Sequence, residues 1–255
     1  MLETYVKKRL EKKAILLMTH IVVGYPSFEE SMNLVETMVH AGVDLMEFQI
    51  PFSEPIADGP VIMRANQKAL ERGVTVEKCL AFAAHAARRF DIPFLIMTYY
   101  NIPFEYGVDA FVARMAATGL KGAIIPNLPF EEGQTYLDAM TKHTLSPVLI
   151  FSPTTSLGRM KYLSSIAKGF VYCTARKGVT GARTDFTQDM AEYLSRCRKA
   201  SSLPLAVGFG ISGKTDVDYL TGKVDIAVIG TQSLRIMEKD GVYAVGDFIK
   251  GLEIS

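Results

Sequence analysis

Eight short apolar runs recur along the chain, and they constrain its fold more than any other feature. They cover 14–23 (AILLMTHIVV), 43–50 (VDLMEFQI), 93–100 (PFLIMTYY), 122–126 (GAIIP), 147–151 (PVLIF), 169–174 (GFVYCT), 204–209 (PLAVGF) and 225–230 (DIAVIG). Runs of this length, bounded by turn residues, read as buried strands. The stretches between them carry helical patterns of roughly 10 to 17 residues, the spacing of βα units. One such stretch opens with Ser27, Phe28, Glu29 and Glu30, a capping-box pattern, and continues with Phe28, Met32, Val35 and Val39 on one face. It ends at Gly42; another, carrying Phe111, Val112 and Met115, ends at Gly119. Eight buried parallel strands alternating with helices imply an α/β chain folded as a single (β/α)8 TIM barrel. An open doubly wound sheet is the competitor. It is disfavoured because the first turn, VVGYPSFEE, has no GxGxxG fingerprint. No linker or short repeat interrupts residues 1–255, so one domain is expected, with an N-terminal helix at about 2–13.

Composition excludes several function classes. Apolar residues make up 49% of the chain, enough for a large core, and the net charge of +1 gives no pull toward nucleic acid or an acidic membrane. Basic residues precede apolar ones at the start, as in a signal peptide. Glu3 and Glu11 interrupt that pattern, and no run is long enough to span a bilayer. A cytoplasmic protein is expected. The three cysteines, Cys79, Cys173 and Cys197, form no CxxC pair and read as core filling in a reducing compartment. The histidines (His20, His40, His85, His143) lack metal-ligand spacing, so no metal is expected. No GxSxG elbow occurs. An imine-forming lysine is not offered by the sixth strand: it carries Tyr172, with Lys168 at its start on the far face.

Two groups of residues point to chemistry. Glycine-rich turns GVTGAR (178–183), GFGIS (208–212) and IGTQS (229–233) follow the last three strands. Glycine lets backbone N–H groups approach an anion closely, and barrel enzymes often hold phosphate at the late loops. Ser212 and Thr231 add hydroxyl donors. The alternative is that the glycines only make tight turns. The second group is Glu47, on the second strand, and Asp58, on the proline-rich loop after it. Glu47 and Gln49 share a strand face. Burial of Glu47 favours its neutral acid, whereas a more solvated Asp58 stays ionised, giving an acid/base pair. The alternative is a structural Glu47 paired to a lysine and an Asp58 that caps the helix near Pro60.

Taken together, PFSEPIADGP (51–60), MTYYN (97–101), IIPNLPFEE (124–132), GFVY followed by GVTGAR, and GFGIS occur in an order and spacing that closely resemble the tryptophan synthase alpha chain family. The resemblance runs from about Thr19 to Ile236. It implies a (β/α)8 barrel that cleaves indole-3-glycerol phosphate to indole and glyceraldehyde 3-phosphate in a retro-aldol reaction with no cofactor of its own. It implies that Glu47 protonates indole C3 and that Asp58 hydrogen-bonds the indole N–H. Tyr172 would line the site, and Thr180 would close over the substrate. Backbone amides of Gly181, Gly210, Gly230 and Thr231 would hold the phosphate, with Phe209, Tyr99, Ile150 and Val228 around the indole. The resemblance also implies a pyridoxal-phosphate beta chain that receives the indole. The assembly would be an αββα heterotetramer docked through loops two and six, Pro51 and Glu54 lying on the first of these. Loop closure would couple the two sites.

The sequence departs from the family pattern at several positions. Gln49 stands where the family has glycine, and His20 where it has an apolar, often aromatic, residue. Glu54 and Asn127 each replace an aspartate, and Lys121 replaces an acid. Gln49 lies roughly 7 Å along the strand from Glu47 on the same face. A hydrogen bond from its amide would weaken Glu47 as an acid. His20 would put a polar ring into an apolar site, at a desolvation cost unless it finds a partner. Impaired cleavage is therefore one expectation, and a compensated, active lyase is the other. A third, from a different class, is a largely non-catalytic subunit that activates the beta chain. Another phosphate-binding barrel enzyme is disfavoured by ADGP together with GVTGAR.

Overall fold

All eight apolar runs form strands, and the strands pair in sequence order until the last meets the first. The computed structural model describes residues 1–174, 188–208 and 210–252. The strands are β1 (Leu16–Val22), β2 (Leu45–Gln49), β3 (Phe94–Met97), β4 (Gly122–Ile124), β5 (Ser146–Phe151), β6 (Val171–Thr174), β7 (Leu205–Gly208) and β8 (Ile226–Ile229). Every neighbouring pair is parallel, including β1 with β8, so the barrel closes and no edge is left to pair with another chain.

The helices are α1 (Leu2–Leu10), α2 (Phe28–His40), α3 (Pro60–Glu71), α4 (Val76–Arg89), α5 (Asn101–Tyr106), α6 (Val108–Ala117), α7 (Gln134–Lys142), α8 (Leu157–Ile166), α9 (Gln188–Ala200), α10 (Lys214–Leu220), α11 (Thr231–Asp240) and α12 (Val242–Lys250). α1 stops at Leu10, short of the expected 2–13 span. The Ser27 hydroxyl accepts from the Glu30 N–H at 3.1 Å and starts α2 where the sequence places it. Gly42, with φ of 96°, turns the chain out of that helix into β2. Among the described residues no helix is long and apolar enough to cross a membrane.

The period-two alternation of the strands divides the apolar residues into two cores. Residues such as Ile21, Met46, Phe48 and Ile96 face the helices. Phe48 stacks on Phe94 at 4.8 Å and meets Phe82 edge-on at 5.4 Å. Leu16, Met18, Leu45, Leu95, Val148, Ala206 and Ile226 fill the barrel instead. Each large apolar side chain so buried contributes about 1.5–3 kcal/mol. Because Leu45 points inward, so do Glu47 and Gln49. Because Leu16 and Met18 point inward, so does His20.

The lower end of the barrel is closed by α1, whose Leu2 and Val6 join the interior core. Asp44, fully buried before β2, holds α1 there. Its carboxylate accepts from Arg9 Nε at 3.0 Å, Lys13 Nζ at 3.1 Å and the Leu17 N–H at 3.1 Å. Gly169, with φ of 86°, lies at the foot of β6, where a Cβ would come 2.8 Å from Leu2.

Candidate active site

Parallel pairing sets His20 opposite Glu47 and Val22 opposite Gln49. These polar side chains therefore enter the barrel near its C-terminal mouth, where barrel enzymes place their chemistry. β2 ends at Gln49. Pro51 interrupts further pairing, and the chain loops over the mouth until Pro60 begins α3 at its first position. The Asp58 N–H closes a turn on the Pro55 carbonyl at 2.9 Å, and the side chain of Asp58 turns into the chamber.

Two carboxylates result, each held by a different partner. Glu47 Oε1 lies 2.9 Å from His20 Nδ1. Asp58 Oδ2 accepts from Gln49 Nε2 at 2.6 Å and from the Tyr99 hydroxyl at 3.0 Å. The Tyr99 oxygen in turn accepts from the Ala57 N–H at 3.0 Å, and its ring stacks on Phe52 at 5.2 Å. Loop, strand end and carboxylate are thus one connected unit.

These contacts correct four expectations. Gln49 does not reach Glu47, because its amide extends to the returning loop and meets Asp58. Glu47 instead takes its partner across the strand pair, and that partner is His20 rather than a lysine. The polar ring of His20 thereby meets a buried hydrogen-bonding group. Asp58 is not the more solvated acid: it is 3% exposed, as is Glu47, because Phe52 and Tyr99 pack over the loop that carries it. Nor does Asp58 cap α3, whose N-cap, Gly59, offers no side chain.

Electrostatics follow from this burial. Desolvation pushes Asp58 above the ordinary carboxylate range, against the charge of His20 and the donors Gln49 and Tyr99, which pull it down. Burial alone would lower the His20 imidazole. The hydrogen bond and charge of Glu47, then the charge of Asp58, with Gln49 acting in the same direction, reverse that and raise it. Tyr99 and Tyr172 are both pushed up, first by burial and then by the nearby carboxylates. Glu47 Oε2, His20 Nε2 and Gln49 Oε1 are buried without a hydrogen-bond partner among the described residues. Each such atom costs about 1–3 kcal/mol unless a ligand or water meets it.

The other expected site residues divide into three sets. Tyr99, Val228, Tyr172 and the half-buried Ile150 belong to the barrel-interior core, with Ile150 opposite Tyr172 across β5 and β6. Gly208 ends β7 directly against the Tyr172 hydroxyl, where a Cβ would clash. Gly230 and Thr231 start α11 beside the mouth, and Gly210 adopts φ of 88°. A helix start of this kind offers free N–H groups and positive potential to an anion. Thr180, Gly181 and Phe209 lie outside the described residues.

The Ser212 hydroxyl is not available as the sequence implied, since it donates to Asp216 Oδ2 at 2.8 Å. Ser233, in the first turn of α11, is the residue sequence reasoning passed over. Its hydroxyl is buried and unpartnered among the described residues, and the signal was its place inside IGTQS. On the loop after β2, Pro51 is buried whereas Glu54 is exposed, as is Ile56. Asn127 accepts from the Tyr100 N–H at 2.7 Å and donates to Asn101 at 3.1 Å, so it joins two mouth loops. Lys121 is exposed just before β4, away from the mouth; nothing in the structure explains it.

The family model of the tryptophan synthase alpha chain matches residues 6–246. Alpha chains of Desulforapulum autotrophicum and Syntrophotalea carbinolica are 61% and 55% identical over 252 residues, covering 99% of this chain and 100% of each relative. Mycobacterium tuberculosis tryptophan synthase, solved in space group F222, superposes with a TM-score of 0.92 at 30% identity, over 98% of this chain and 96% of that one. The alpha subunit from Legionella pneumophila gives 0.88 at 28% identity, over 98% and 96%. With a match along nearly its whole length, the chain belongs to the tryptophan synthase alpha chain family, lyases of tryptophan biosynthesis.

Proposed function

We propose that the chain cleaves indole-3-glycerol phosphate to indole and glyceraldehyde 3-phosphate, with no cofactor of its own. The observation that carries this reading is the pair of buried carboxylates, Glu47 and Asp58, held in one chamber by separate partners. Glu47 gives a proton to indole C3. The ring nitrogen becomes positive, and Asp58 faces its N–H. A base then takes the proton of the hydroxyl on the carbon attached to the ring. The carbon–carbon bond breaks, its electron pair returns to the ring, and the aldehyde carbonyl forms. The ionised Glu47 is placed to take that hydroxyl proton, so the proton count closes. Tyr99, Ile150, Val228, Tyr172 and Phe209 surround the indole in this reading. Gly181, Gly210, Gly230, Thr231 and Ser233 receive the phosphate in this reading.

Indole passes to a pyridoxal-phosphate beta chain in an αββα assembly. The loop bearing Pro51 and Glu54 docks there, in the cytoplasm. Steady-state release of indole from the phosphate ester, with and without a beta chain, tests the reading; no release under either condition overturns it. A second reading is favoured by one observation: Gln49 already donates to Asp58, the acid that must receive the indole N–H. A weakly cleaving chain would then serve chiefly to activate the beta chain. Stimulated tryptophan synthesis from indole and serine, without cleavage, distinguishes it.

A further inference from the structure

We propose that His20 is a positioning residue for Glu47, holding one carboxylate oxygen and sharing its proton so that the other oxygen is presented to the substrate. The proposal deepens the cleavage reading and rests on it.

The geometry is specific. His20 and Glu47 are register partners on β1 and β2, 4% and 3% exposed, with Nδ1 and Oε1 2.9 Å apart. That contact occupies Oε1 and leaves Oε2 without a partner among the described residues. The ring is backed by Gly230 at the end of β8, where a Cβ would sit 3.4 Å from that of His20. Glycine there lets the imidazole lie between the carboxylate and the start of α11.

The titratable groups facing the ring are Glu47 from β2 and Asp58 from the loop beyond it; Tyr172 of β6 feels both carboxylates, and Tyr99 holds Asp58. Gly230 brings none. Among the described residues His20 is thus a basic group that acts on both acids.

Cleavage needs a proton on Glu47 first and an empty carboxylate afterwards. The 2.9 Å contact between Nδ1 and Oε1 lets His20 and Glu47 exchange a proton. Oε2 gives its proton to indole C3 as Oε1 takes the one on Nδ1; the substrate hydroxyl then reloads Oε2 while Oε1 returns its proton to Nδ1.

The test has two arms, both on the full chain with its beta partner. In the first, histidine-labelled protein is titrated by NMR, with His20 assigned by the His20→Phe variant. The His20 resonance is expected to titrate above its ordinary 6.5 and its midpoint to fall in Glu47→Gln. In the second, kcat and KM for cleavage are followed against pH. His20→Phe is expected to lower kcat about tenfold or more with KM within about threefold. His20→Gln keeps a donor but cannot hold the proton, so its alkaline limb moves to lower pH. If His20→Phe does not fold, His20→Gln and the NMR arm decide. An unchanged kcat and pH profile, or a His20 titration indifferent to Glu47→Gln, overturns the proposal. If the unaltered chain cleaves nothing, the cleavage reading fails instead, and the NMR arm still reports whether the pair shares a proton.

Discussion

Gln49 Nε2 lies 2.6 Å from Asp58 Oδ2, the same oxygen that receives the Tyr99 hydroxyl. A strand end and the loop that leaves it are tied together nine residues apart through one carboxylate oxygen. The oxygen is therefore doubly occupied before any substrate arrives.

Gln49→Gly removes one of those donors. An amide donor competing with the indole N–H at about 1–1.5 kcal/mol corresponds to about tenfold in rate. Gln49→Gly is accordingly expected to raise kcat/KM for cleavage several-fold, while thermal stability falls. Steady-state indole release measures the first and a melting curve the second. A fall in kcat/KM would mean that Gln49 assists Asp58 rather than competing with substrate.

Asp58→Asn should separate stability from activity. Burial raises the folded-state pKa of Asp58 above its ordinary 3.8. The folded protein thus binds this proton more tightly than the unfolded chain. The corresponding stability is complete below 3.8 and is lost as pH rises through the folded value, so ionised Asp58 burdens the fold at neutral pH. Asparagine keeps the shape without the charge. Tm at pH 7 is expected to rise, by about 2–4 °C for each kcal/mol recovered, and the gain should shrink toward pH 4. Cleavage should be lost. A Tm gain independent of pH would contradict the assignment.

Glu47→Gln tests the proton donor. Loss of a general acid costs about 10²–10⁴ in rate. kcat is expected to fall within that range, with KM nearly unchanged and beta-chain activation retained. Single-turnover assays on the assembled complex check the chemical step directly.

Asp44→Ala addresses the opposite end of the barrel. It leaves the buried Leu17 N–H unpaired and releases Arg9 and Lys13, whose charges reach water. A destabilisation of about 1–3 kcal/mol is expected from denaturant unfolding. Proteolysis near residue 10 should become faster, because α1 loses its anchor.

The barrel was legible because run length and spacing are local properties. That Glu47 and Gln49 share one strand face was legible too, since period two needs no knowledge of neighbours; which face turns inward was not. Polar partnerships were not. His20 meets Glu47 only because β1 and β2 pair in one register, and no sequence pattern fixes that register. The burial of Asp58 depends on a loop folding back under Tyr99, a residue 41 positions away. The Ser212 hydroxyl looked available until α10 brought Asp216 beneath it. Residues 175–187 and 209, where Thr180, Gly181 and Phe209 stand, lie outside the described chain.

Leu2 and Val6 under the strands make the barrel a cup rather than a tube. Met1 is 89% exposed, so a tag attached ahead of it hangs in solvent. A start moved past Val6 strips that base instead and bares the apolar foot of the barrel, while the packed side chains above it still keep water from Glu47. Such a shortened chain would melt sooner and clump through its bared underside while the chemistry at the rim stayed intact.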